Sequence, residues 1–349
     1  MAFQIQDSWL NDGFERLRAK WSTVPAGGSR RISSSELLKL DDIELARIWT
    51  AARDADVQGT DFQMRGWYHE LYREFMMGKK VLDIGCGLGI SSISFAQMGA
   101  AVTFVDIVED NIRLVERVCR VLGIADRVSF YYMHRIDDLA ALPRDFDVVT
   151  AMGSLHHAPF EFVHREVAEI VRHLKIGGRW LQLAYPKARW VREGSLSFSE
   201  WGERTDGEGT PYAEWYDLNK LLQLLTPAKF DPLFHCEWHN YDFNWFDLKL
   251  LTYDGGVVNQ NEEDPILLEL CLLREALKRN EEELNVLKAQ LESCKILQQE
   301  HTALIAHVTA IENSAGWRLL TRWHRVRNRI VPDGTRRRRF YDALRGVKR

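Results

Sequence analysis

The chain has 349 residues, of which 46% are apolar and 28% are charged. This length suits a globular domain with a second element, because a single domain typically takes roughly 100–200 residues. No apolar run approaches the roughly 20 residues of a bilayer-spanning helix, and the first residues lack the basic and apolar regions of a secretory signal. Five scattered cysteines without a CxxC pair are typical of reduced thiols. We therefore expect a cytoplasmic protein.

The net charge of −4 hides an asymmetry along the chain. Residues 316–349 hold 12 Lys/Arg and 2 Asp, whereas the remaining residues hold 34 basic and 48 acidic side chains. An acidic body with a basic tail indicates that only the tail meets a polyanion. We expect no nucleic-acid partner for the acidic body.

Residues 1–60 predict a helical N-terminal extension. Ser33 and Glu36 have the spacing of a capping box, as do Asp41 and Glu44. Apolar residues at helical spacing follow the second pair.

Beyond Lys80, short apolar runs alternate with amphipathic segments over the domain that we place at residues 61–254. This alternation predicts an α/β fold with a doubly wound, mainly parallel seven-stranded sheet. We expect strands at Val81–Ile84, Val102–Val105, Val128–Tyr132, Phe146–Met152 and Trp180–Leu183, with two more in Phe230–Tyr253. We expect helices from the glycines to about Met98 and at Glu109–Leu122, Phe160–Leu174 and Asp217–Leu225.

Residues 184–216 interrupt the alternation and predict a substrate lid over the active site. Residues 180–246 contain 15 aromatic side chains, a clear enrichment over the chain average of 11%. Flat aromatic faces suit the C–H faces of sugar rings, although packing within the core is the alternative role. The aromatic residues of the insertion are Trp190, Trp201, Trp215 and Tyr216.

Residues 255–265 predict a polar linker, and residues 266–313 then carry a heptad pattern without Gly or Pro. The pattern favours a self-associating coiled coil, dimeric or trimeric, over a helix packed on its own domain. Glu283 at g and Lys288 at the following e suit a parallel pair. The a positions are Leu270, Leu277, Leu284, Leu291, Gln298 and Ile305, and the d positions are Leu273, Asn280, Leu287, Cys294, His301 and Val308.

The basic tail at 316–349 begins with an amphipathic segment. Leu319, Trp323, Val326 and Ile330 share one helical face, and arginines occupy the others. This pattern is typical of a helix lying on an anionic membrane surface. We expect a peripheral position at the inner face of the cell membrane, with docking to a partner protein as the alternative.

A glycine-rich string, Val81-Leu82-Asp83-Ile84-Gly85-Cys86-Gly87-Leu88-Gly89-Ile90, follows the first predicted strand and opens a helix. Gly85 and Gly87 permit a tight turn and a close approach of backbone to a ligand. A dinucleotide fingerprint needs a small residue where Ile90 stands. Asp83 would repel a pyrophosphate and suits a cationic ligand, so charge matching favours S-adenosylmethionine.

Asp106 closes the second predicted strand, 17 residues after Gly89. An acid at the carboxyl end of this strand can accept hydrogen bonds from both ribose hydroxyls. A strand, an Asp-x-Gly-x-Gly-x-Gly string and a strand-terminal acid together predict a nucleoside-containing cofactor.

These strings resemble the class I S-adenosylmethionine-dependent methyltransferases over about residues 60–185. VLDIGCGLGISS matches their first motif and TFVDIVEDNI their second, while RDFDVVTAMGSLHHA and VRHLKIGGRWL resemble the fourth and fifth strands with their flanking loops. The resemblance implies that Gly85 and Gly87 cradle the cofactor and that Asp106 binds its ribose. It also implies adenine contacts from Ile107 and the His134–Ile136 loop, and a methionine-end contact near Met152.

The full cofactor-binding prediction follows from the string and the resemblance together. The family often has an acid near position 135, where this chain has Arg135. The predicted cofactor is S-adenosyl-L-methionine, with S-adenosyl-L-homocysteine as the product. The predicted residues are Asp83, Gly85, Cys86, Gly87, Gly89, Asp106, Ile107, Arg135, Ile136 and Met152.

His156 and His157 follow the fourth predicted strand, where the methyl group should point. A hydroxyl acceptor is a poor nucleophile, and histidine is a plausible general base near neutral pH. Both histidines are catalytic candidates, with a slight preference for His157, and shaping of the cleft is the alternative role. His235 and His239 lie about 13 Å apart on a predicted strand, so they predict packing and not a metal pair. No residue predicts a metal site, although a magnesium-assisted acceptor site stays open.

The C-terminal segment is similar to bacterial enzymes of surface-polysaccharide assembly, of the O-antigen type, over about residues 266–349. The similar strings are Ser314–Leu320 and Val331–Arg337. The resemblance implies an O-methyltransferase that acts on a sugar of a lipid-linked surface glycan. The alternatives are a small-molecule methyltransferase, for example of a quinone, and a scaffolding protein with a vestigial methyltransferase domain.

Overall fold

The computed structural model describes residues 7–23, 32–57, 65–239, 241–254 and 265–345. The chain divides into two compact units, Met1–Cys271 and Leu272–Arg349.

The first unit is built on a seven-stranded sheet of the described residues with strand order β3-β2-β1-β4-β5-β7-β6. The first five strands are parallel, and β7 pairs antiparallel with both β5 and β6. The predicted doubly wound, mainly parallel sheet is therefore confirmed. The strands are β1 Lys80–Ile84, β2 Ala101–Asp106, β3 Val128–Tyr132, β4 Phe146–Met152, β5 Leu174–Ala184, β6 Lys229–Trp238 and β7 Phe243–Thr252.

Helices flank the sheet and precede it. Ser33 and Glu36 form the predicted reciprocal capping box, and the Asp41 carboxylate accepts a hydrogen bond from the Glu44 N–H. The helices of this unit are α1 Asp7–Trp21, α2 Ser34–Leu37, α3 Asp42–Val57, α4 Gly66–Leu71, α5 Arg73–Met76, α6 Ile90–Gln97, α7 Glu109–Val121, α8 Phe160–Ile170, α9 Lys187–Arg192, α10 Phe198–Asp206 and α11 Leu218–Leu224, with short 3-10 turns at Ala125–Arg127, Ile136–Ala141 and Val171–His173.

Two predicted elements differ from the structure. The helix predicted over Phe160–Leu174 ends at Ile170 and tightens into a 3-10 turn. The fifth strand begins at Leu174 and runs through Gly177 and Gly178 to Ala184. The added residues continue the pairing with β4, where Leu174 pairs with Phe146 and a register shift separates this pair from Val148 and Arg179.

The core lies where the strands are covered on both faces. Trp180, Trp245 and Phe246 are fully buried. A buried ion pair joins Arg179 on β5 to Asp247 on β7, and the Tyr72 hydroxyl donates to the same carboxylate. These contacts fix the antiparallel edge of the sheet against α4 and α5.

The second unit is helical. The predicted heptad segment is one unbroken helix, and a basic helix follows it; the helix that contains Arg336–Arg339 was not predicted. The predicted linker at 255–265 lies, except for Pro265, outside the described residues. The helices are α12 Pro265–Asn313, which starts in the first unit, α13 Ala315–Ile330 and α14 Arg336–Leu344. Within the described ranges no helix is both long and apolar enough to cross a membrane.

Candidate active site

The turn after β1 is built from three glycines with positive φ angles: Gly85 at +71°, Gly87 at +51° and Gly89 at +67°. A Cβ on Gly85 would lie 2.4 Å from the Cβ of Ser154, whereas a Cβ on Gly87 would meet nothing within 4 Å. Gly85 is therefore required by packing, and Gly87 leaves open space above the backbone. Trp49 of α3 supports the turn, because its indole N–H donates to the Leu88 carbonyl at 2.8 Å.

Asp106 lies at the end of β2 and faces this turn. Its carboxylate accepts hydrogen bonds from the N–H of Gly87 at 2.9 Å and of Val108 at 2.8 Å. The side chain is only 4% exposed, and this burial raises its pKa against the lowering effect of the two backbone bonds. The Asn111 side chain and the Cys86 thiol also hydrogen-bond this carboxylate, so Asp106 holds the glycine turn together at the wall of the cleft.

A cleft lies over the turn and the ends of β1, β2 and β4. It encloses about 750 Å³, counting the part open to solvent. The predicted cofactor-binding residues on its wall are Gly85, Gly87, Asp106, Ile107 and Met152, and Met133 adds a further apolar side chain.

Asp83 lies beneath the glycine turn, off the cleft wall. It is 3% exposed, and its carboxylate accepts a hydrogen bond from the Thr150 hydroxyl at 2.9 Å. Burial raises the pKa of this carboxyl to about 6, although bonds from Ser92 and Thr150 oppose the rise. The Asp83 side chain therefore faces Thr150 of β4 and Ser92 of α6, and a direct contact with a cationic ligand stays a prediction.

Four other predicted residues also lie off the wall. Cys86 turns its thiol towards the Asp106 carboxylate at 3.7 Å, and Gly89 is the N-cap of α6. Arg135 is exposed and pairs with Asp138. It stands where the family often has an acid, so position 135 contributes no carboxylate to the cleft. Ile136 packs against the core.

The two candidate histidines have different surroundings. His157 lines the cleft, and its Nδ1 lies 3.3 Å from the Tyr212 carbonyl. Because a carbonyl only accepts, the contact with Tyr212 places a proton on Nδ1, and the imidazole also hydrogen-bonds the Gly153 backbone. Burial lowers the pKa of His157, against the nearby Asp206. His156 does not line the cleft, and its side chain is 1% exposed. Neither of its ring nitrogens has a hydrogen-bond partner among the described residues.

Helix α1 closes one side of the cleft, which the sequence analysis missed. Phe14, Leu17 and Trp21 line the cleft, and the Trp21 ring lies 4.6 Å from the ring of His157. The 3- and 4-residue spacing of these side chains is that of one helical face. It is a signal that could have been found in the sequence.

Basic residues tie α1 to the loops around the cleft. The Arg18 guanidinium donates to the carbonyls of Ile107, at 3.0 Å, and of His134. Lys20 donates to the Glu208 carbonyl at 2.7 Å. The helix therefore spans from the loops after β2 and β3 to the insertion.

Glu166 on α8 is a second titratable group on the cleft wall, and the sequence analysis missed it. Its side chain is 7% exposed, and no hydrogen bond or ion pair to it is found within the described part of the chain. Burial alone raises the pKa of this carboxyl to about 7. Glu166 lies four residues from both Phe162 and Ile170 on the buried face of α8, and this helical spacing is a signal that could have been found in the sequence.

The aromatic residues of the insertion pack mainly against one another. Trp201 and Tyr216 are fully buried, and the Trp201 indole donates to Glu193. Trp190 and Trp215 are partly exposed, with ring centroids 6.2 Å apart. None of the four lines the cleft described above, so the alternative role in core packing describes Trp201 and Tyr216.

Metal ligation has no support in the described ranges, where no group of three or more His, Cys, Asp or Glu side chains could hold an ion. His235 stacks on Phe246 at 4.8 Å, and His239 bonds Asp242 at 3.0 Å. Both contacts agree with the predicted packing roles.

The residues present fit S-adenosylmethionine. A turn without side chains lies beside a buried acid, and apolar side chains form the adjoining wall. A turn of this kind after the first strand of a parallel sheet, with an acid ending the second, defines a nucleoside-binding α/β domain.

Comparison with known proteins identifies the domain more closely. Residues 81–178 match a family described as "Methyltransferase domain". The ubiquinone biosynthesis O-methyltransferase of Bordetella parapertussis is 37% identical over 121 residues, which are 33% of this chain and 46% of that protein. The enzyme of the same name from Idiomarina loihiensis is 35% identical over 136 residues, 36% of this chain and 54% of that protein. The chain thus spans about half the length of these curated relatives.

Among solved structures, magnesium protoporphyrin IX methyltransferase from Synechocystis with bound S-adenosylhomocysteine is 20% identical. The match covers 71% of this chain and 98% of that one, with a TM-score of 0.41. The match of residues 81–178 to a methyltransferase domain supports S-adenosylmethionine as the cofactor of this cleft.

Proposed function

We propose that the chain is an S-adenosylmethionine-dependent O-methyltransferase whose acceptor is a hydroxyl on an apolar aromatic ring, such as a quinone precursor. The observation that carries this proposal is the wall around His157. Phe14, Trp21 and Leu155 present apolar surface beside the imidazole. A sugar would bring several hydroxyls against this wall and leave them without partners, which costs free energy for each one.

In the cleft, some residues hold the ligands and His157 takes the proton. When bound, S-adenosylmethionine supplies a methyl group that is already activated for in-line displacement. His157 lines the cleft and donates from Nδ1 to Tyr212, and its imidazole takes the proton of the acceptor hydroxyl. Because burial lowers its pKa, the imidazole is neutral near pH 7 and able to take the proton. Trp21 packs on the ring and limits its rotation.

The relatives support a phenolic acceptor over the surface glycan predicted from the sequence. Two of them are named ubiquinone biosynthesis O-methyltransferases, and both align only over part of their length. The burial of Trp201 and Tyr216 also weakens the argument for a sugar-binding insertion.

The test is methyl transfer from labelled S-adenosylmethionine by the purified chain. One set of acceptors is catechols with and without an apolar tail, and the other is nucleotide sugars and lipid-linked glycan extracts. We expect transfer to the catechols, with a lower KM for those that carry the tail. Transfer to glycans alone would overturn the proposed acceptor, and no transfer by a chain that binds S-adenosylhomocysteine would overturn the activity.

We also propose that the basic helices α13 and α14 hold the enzyme on an anionic membrane surface, where an apolar acceptor would collect. Leu319, Val326 and Ile330 of α13 are more than half exposed. Arginines surround them, and four more begin α14 at Arg336–Arg339. Vesicles containing phosphatidylglycerol should bind the full chain, and replacement of those four arginines by glutamine should weaken binding. Equal binding to neutral vesicles would contradict an electrostatic attachment.

A further inference from the structure

Helix α12 presents a continuous row of exposed apolar side chains. Among its described side chains, Leu284, Leu291, Leu297, Leu304, Val308 and Ile311 are 49%, 57%, 63%, 62%, 47% and 51% exposed. These described side chains are exposed in the single chain, so they contribute little to tertiary packing within it. The row therefore needs a covering surface of similar length.

The positions of these side chains identify the covering surface as another helix of the same kind. From Leu270 to Leu291, residues spaced alternately by three and four are leucines except for Asn280, which is the seam of a left-handed coiled coil. A seam of this length is self-complementary, since each chain offers the same pattern to its partner. The pairing of Glu283 at g with Lys288 at the partner's e position favours a parallel arrangement.

The regular heptad loses its apolar character after Cys294. If the same repeat continued, Gln298 would occupy an a position. Leu297, Leu304 and Ile311 would then fall at g positions, on the flank of the seam. All three are more than half exposed, so this arrangement would leave much apolar surface in water.

A change of phase removes this conflict. Two successive three-residue steps, Leu291 to Cys294 and Cys294 to Leu297, move the seam onto Leu297, Leu304 and Ile311 at d. His301 and Val308 then occupy a positions. Two adjoining three-residue steps form a stammer, which locally overwinds a coiled coil.

The flanks agree with the shifted phase. His307 becomes a g residue and Glu312 the following e residue, so they can pair between chains as Glu283 and Lys288 do in the first half. Gln298 moves from the seam to an e position, where its amide meets water.

We propose that α12 associates with a second copy of this chain as a parallel, in-register coiled coil whose seam changes phase between Leu291 and Leu297. The partner helix covers Leu284 and Leu291 in the first half, and Leu297, Leu304 and Ile311 in the second. Association through α12 is independent of the acceptor in the cleft.

The neighbouring residues Leu304 and Ile305 provide a matched pair for the test. Both are apolar and exposed to similar extents, 62% and 53%. The shifted phase places Leu304 in the seam and Ile305 at its edge, whereas an unbroken heptad does the reverse. The full-length chain and its Leu304→Lys and Ile305→Lys variants are compared by sedimentation equilibrium, with circular dichroism to check helix content.

We expect the wild-type chain to self-associate and Leu304→Lys to raise the dissociation constant roughly 100-fold or more, because a buried ammonium has no partner in the seam. Ile305→Lys should change it by less than about 5-fold, in line with the small effects of surface substitutions. A larger effect of Ile305→Lys, or equal loss from both, would overturn the phase change. A monomeric wild-type chain would overturn association altogether.

Cys294 reports the orientation of the two chains. It lies in the seam in either phase and is exposed in the single chain. A parallel, in-register pair places the two Cys294 side chains opposite each other, so mild oxidation should give a disulfide-linked species that Cys294→Ser abolishes. An associated wild-type chain that fails to cross-link would overturn the parallel register.

Discussion

The two units of this chain place their large apolar side chains in opposite environments. Trp180, Trp201 and Trp245 of the first unit are fully buried, whereas Trp317 and Trp323 of the second are 43% and 47% exposed. A twisted sheet covered by helices on both faces encloses its apolar residues within one chain. The described large apolar side chains of the second unit are exposed in the single chain, so they are available to a partner chain or a membrane. The first unit is therefore suited to chemistry and the second to association.

The largest effect is expected at His157, because the first unit must supply the chemistry. His157→Asn should lower kcat by roughly 10²–10⁴-fold through loss of the general base. The dissociation constant for S-adenosylhomocysteine should change by less than about 3-fold, since His157 acts on the acceptor and does not hold the cofactor. Steady-state kinetics and calorimetry measure the two quantities.

His156→Asn is the matched control for this prediction. His156 lies off the cleft wall, so kcat of the folded fraction should stay within about 10-fold of wild type. An equal loss of kcat in both variants would contradict the assignment of His157 as the base.

A pair of tryptophan substitutions tests the contrast between the two units directly. Trp180→Ala should lower the free energy of unfolding by about 3–5 kcal/mol, because it opens a cavity in the core. Trp323→Ala should change it by less than about 0.5 kcal/mol in the unassociated chain. Denaturant unfolding at low protein concentration measures both. Similar losses would mean that the second unit has a core of its own.

Glu166 predicts a pH dependence of stability. Burial raises its pKa from 4.5 to about 7, so the folded chain holds a proton that the unfolded chain releases between these values. The free energy of unfolding of the wild-type chain, relative to Glu166→Gln, should therefore be highest below pH 4.5. It should decline as the pH rises through 7, by about 3 kcal/mol in all.

Unfolding of both chains at pH 5 and pH 8 measures this difference. The exposed Glu203→Gln substitution is the control and should show no such change. The same stability difference at both pH values would show that Glu166 is ionised in the fold throughout.

The smallest effect is expected at the contact between α1 and the cofactor loops. Arg18→Ala removes two hydrogen bonds to the carbonyls of Ile107 and His134, and should raise the dissociation constant for S-adenosylhomocysteine about 3- to 10-fold. Arg16→Ala lies on the same helix, where Arg16 pairs with Asp12, and should leave binding unchanged. Equal effects of the two substitutions would contradict a specific closing role for Arg18.

Much of the first unit could be predicted because its strands are buried apolar runs between turn signals. The bounds of Val128–Tyr132 and Phe146–Met152 were predicted as the structure has them. The contacts of Asp83 could not be, since a carboxylate in a strand looks the same in sequence whether it faces a cleft or a neighbouring hydroxyl. Helix position decides these contacts, and it depends on residues far apart in the chain.

The change of phase in α12 illustrates a different limit. From sequence spacing alone, one uninterrupted heptad repeat was predicted, with Gln298 and Ile305 at a positions. The near-equal exposure of Leu304 and Ile305 shows that contacts within one chain choose neither phase. Only a partner surface distinguishes them, because the helix itself forms in either case.

The central claim is that the cleft beside Asp106 binds S-adenosylmethionine, and isothermal titration of S-adenosylmethionine and S-adenosylhomocysteine tests it most directly. Wild-type protein is compared with Asp106→Asn, which keeps the side-chain volume, and with Asp126→Asn, which changes an exposed acid. The account predicts micromolar binding of both ligands that Asp106→Asn weakens at least about 10-fold, the cost of one lost charged hydrogen bond or more, while Asp126→Asn binds as wild type. Absence of binding to the folded wild-type chain, or full binding by Asp106→Asn, would contradict it.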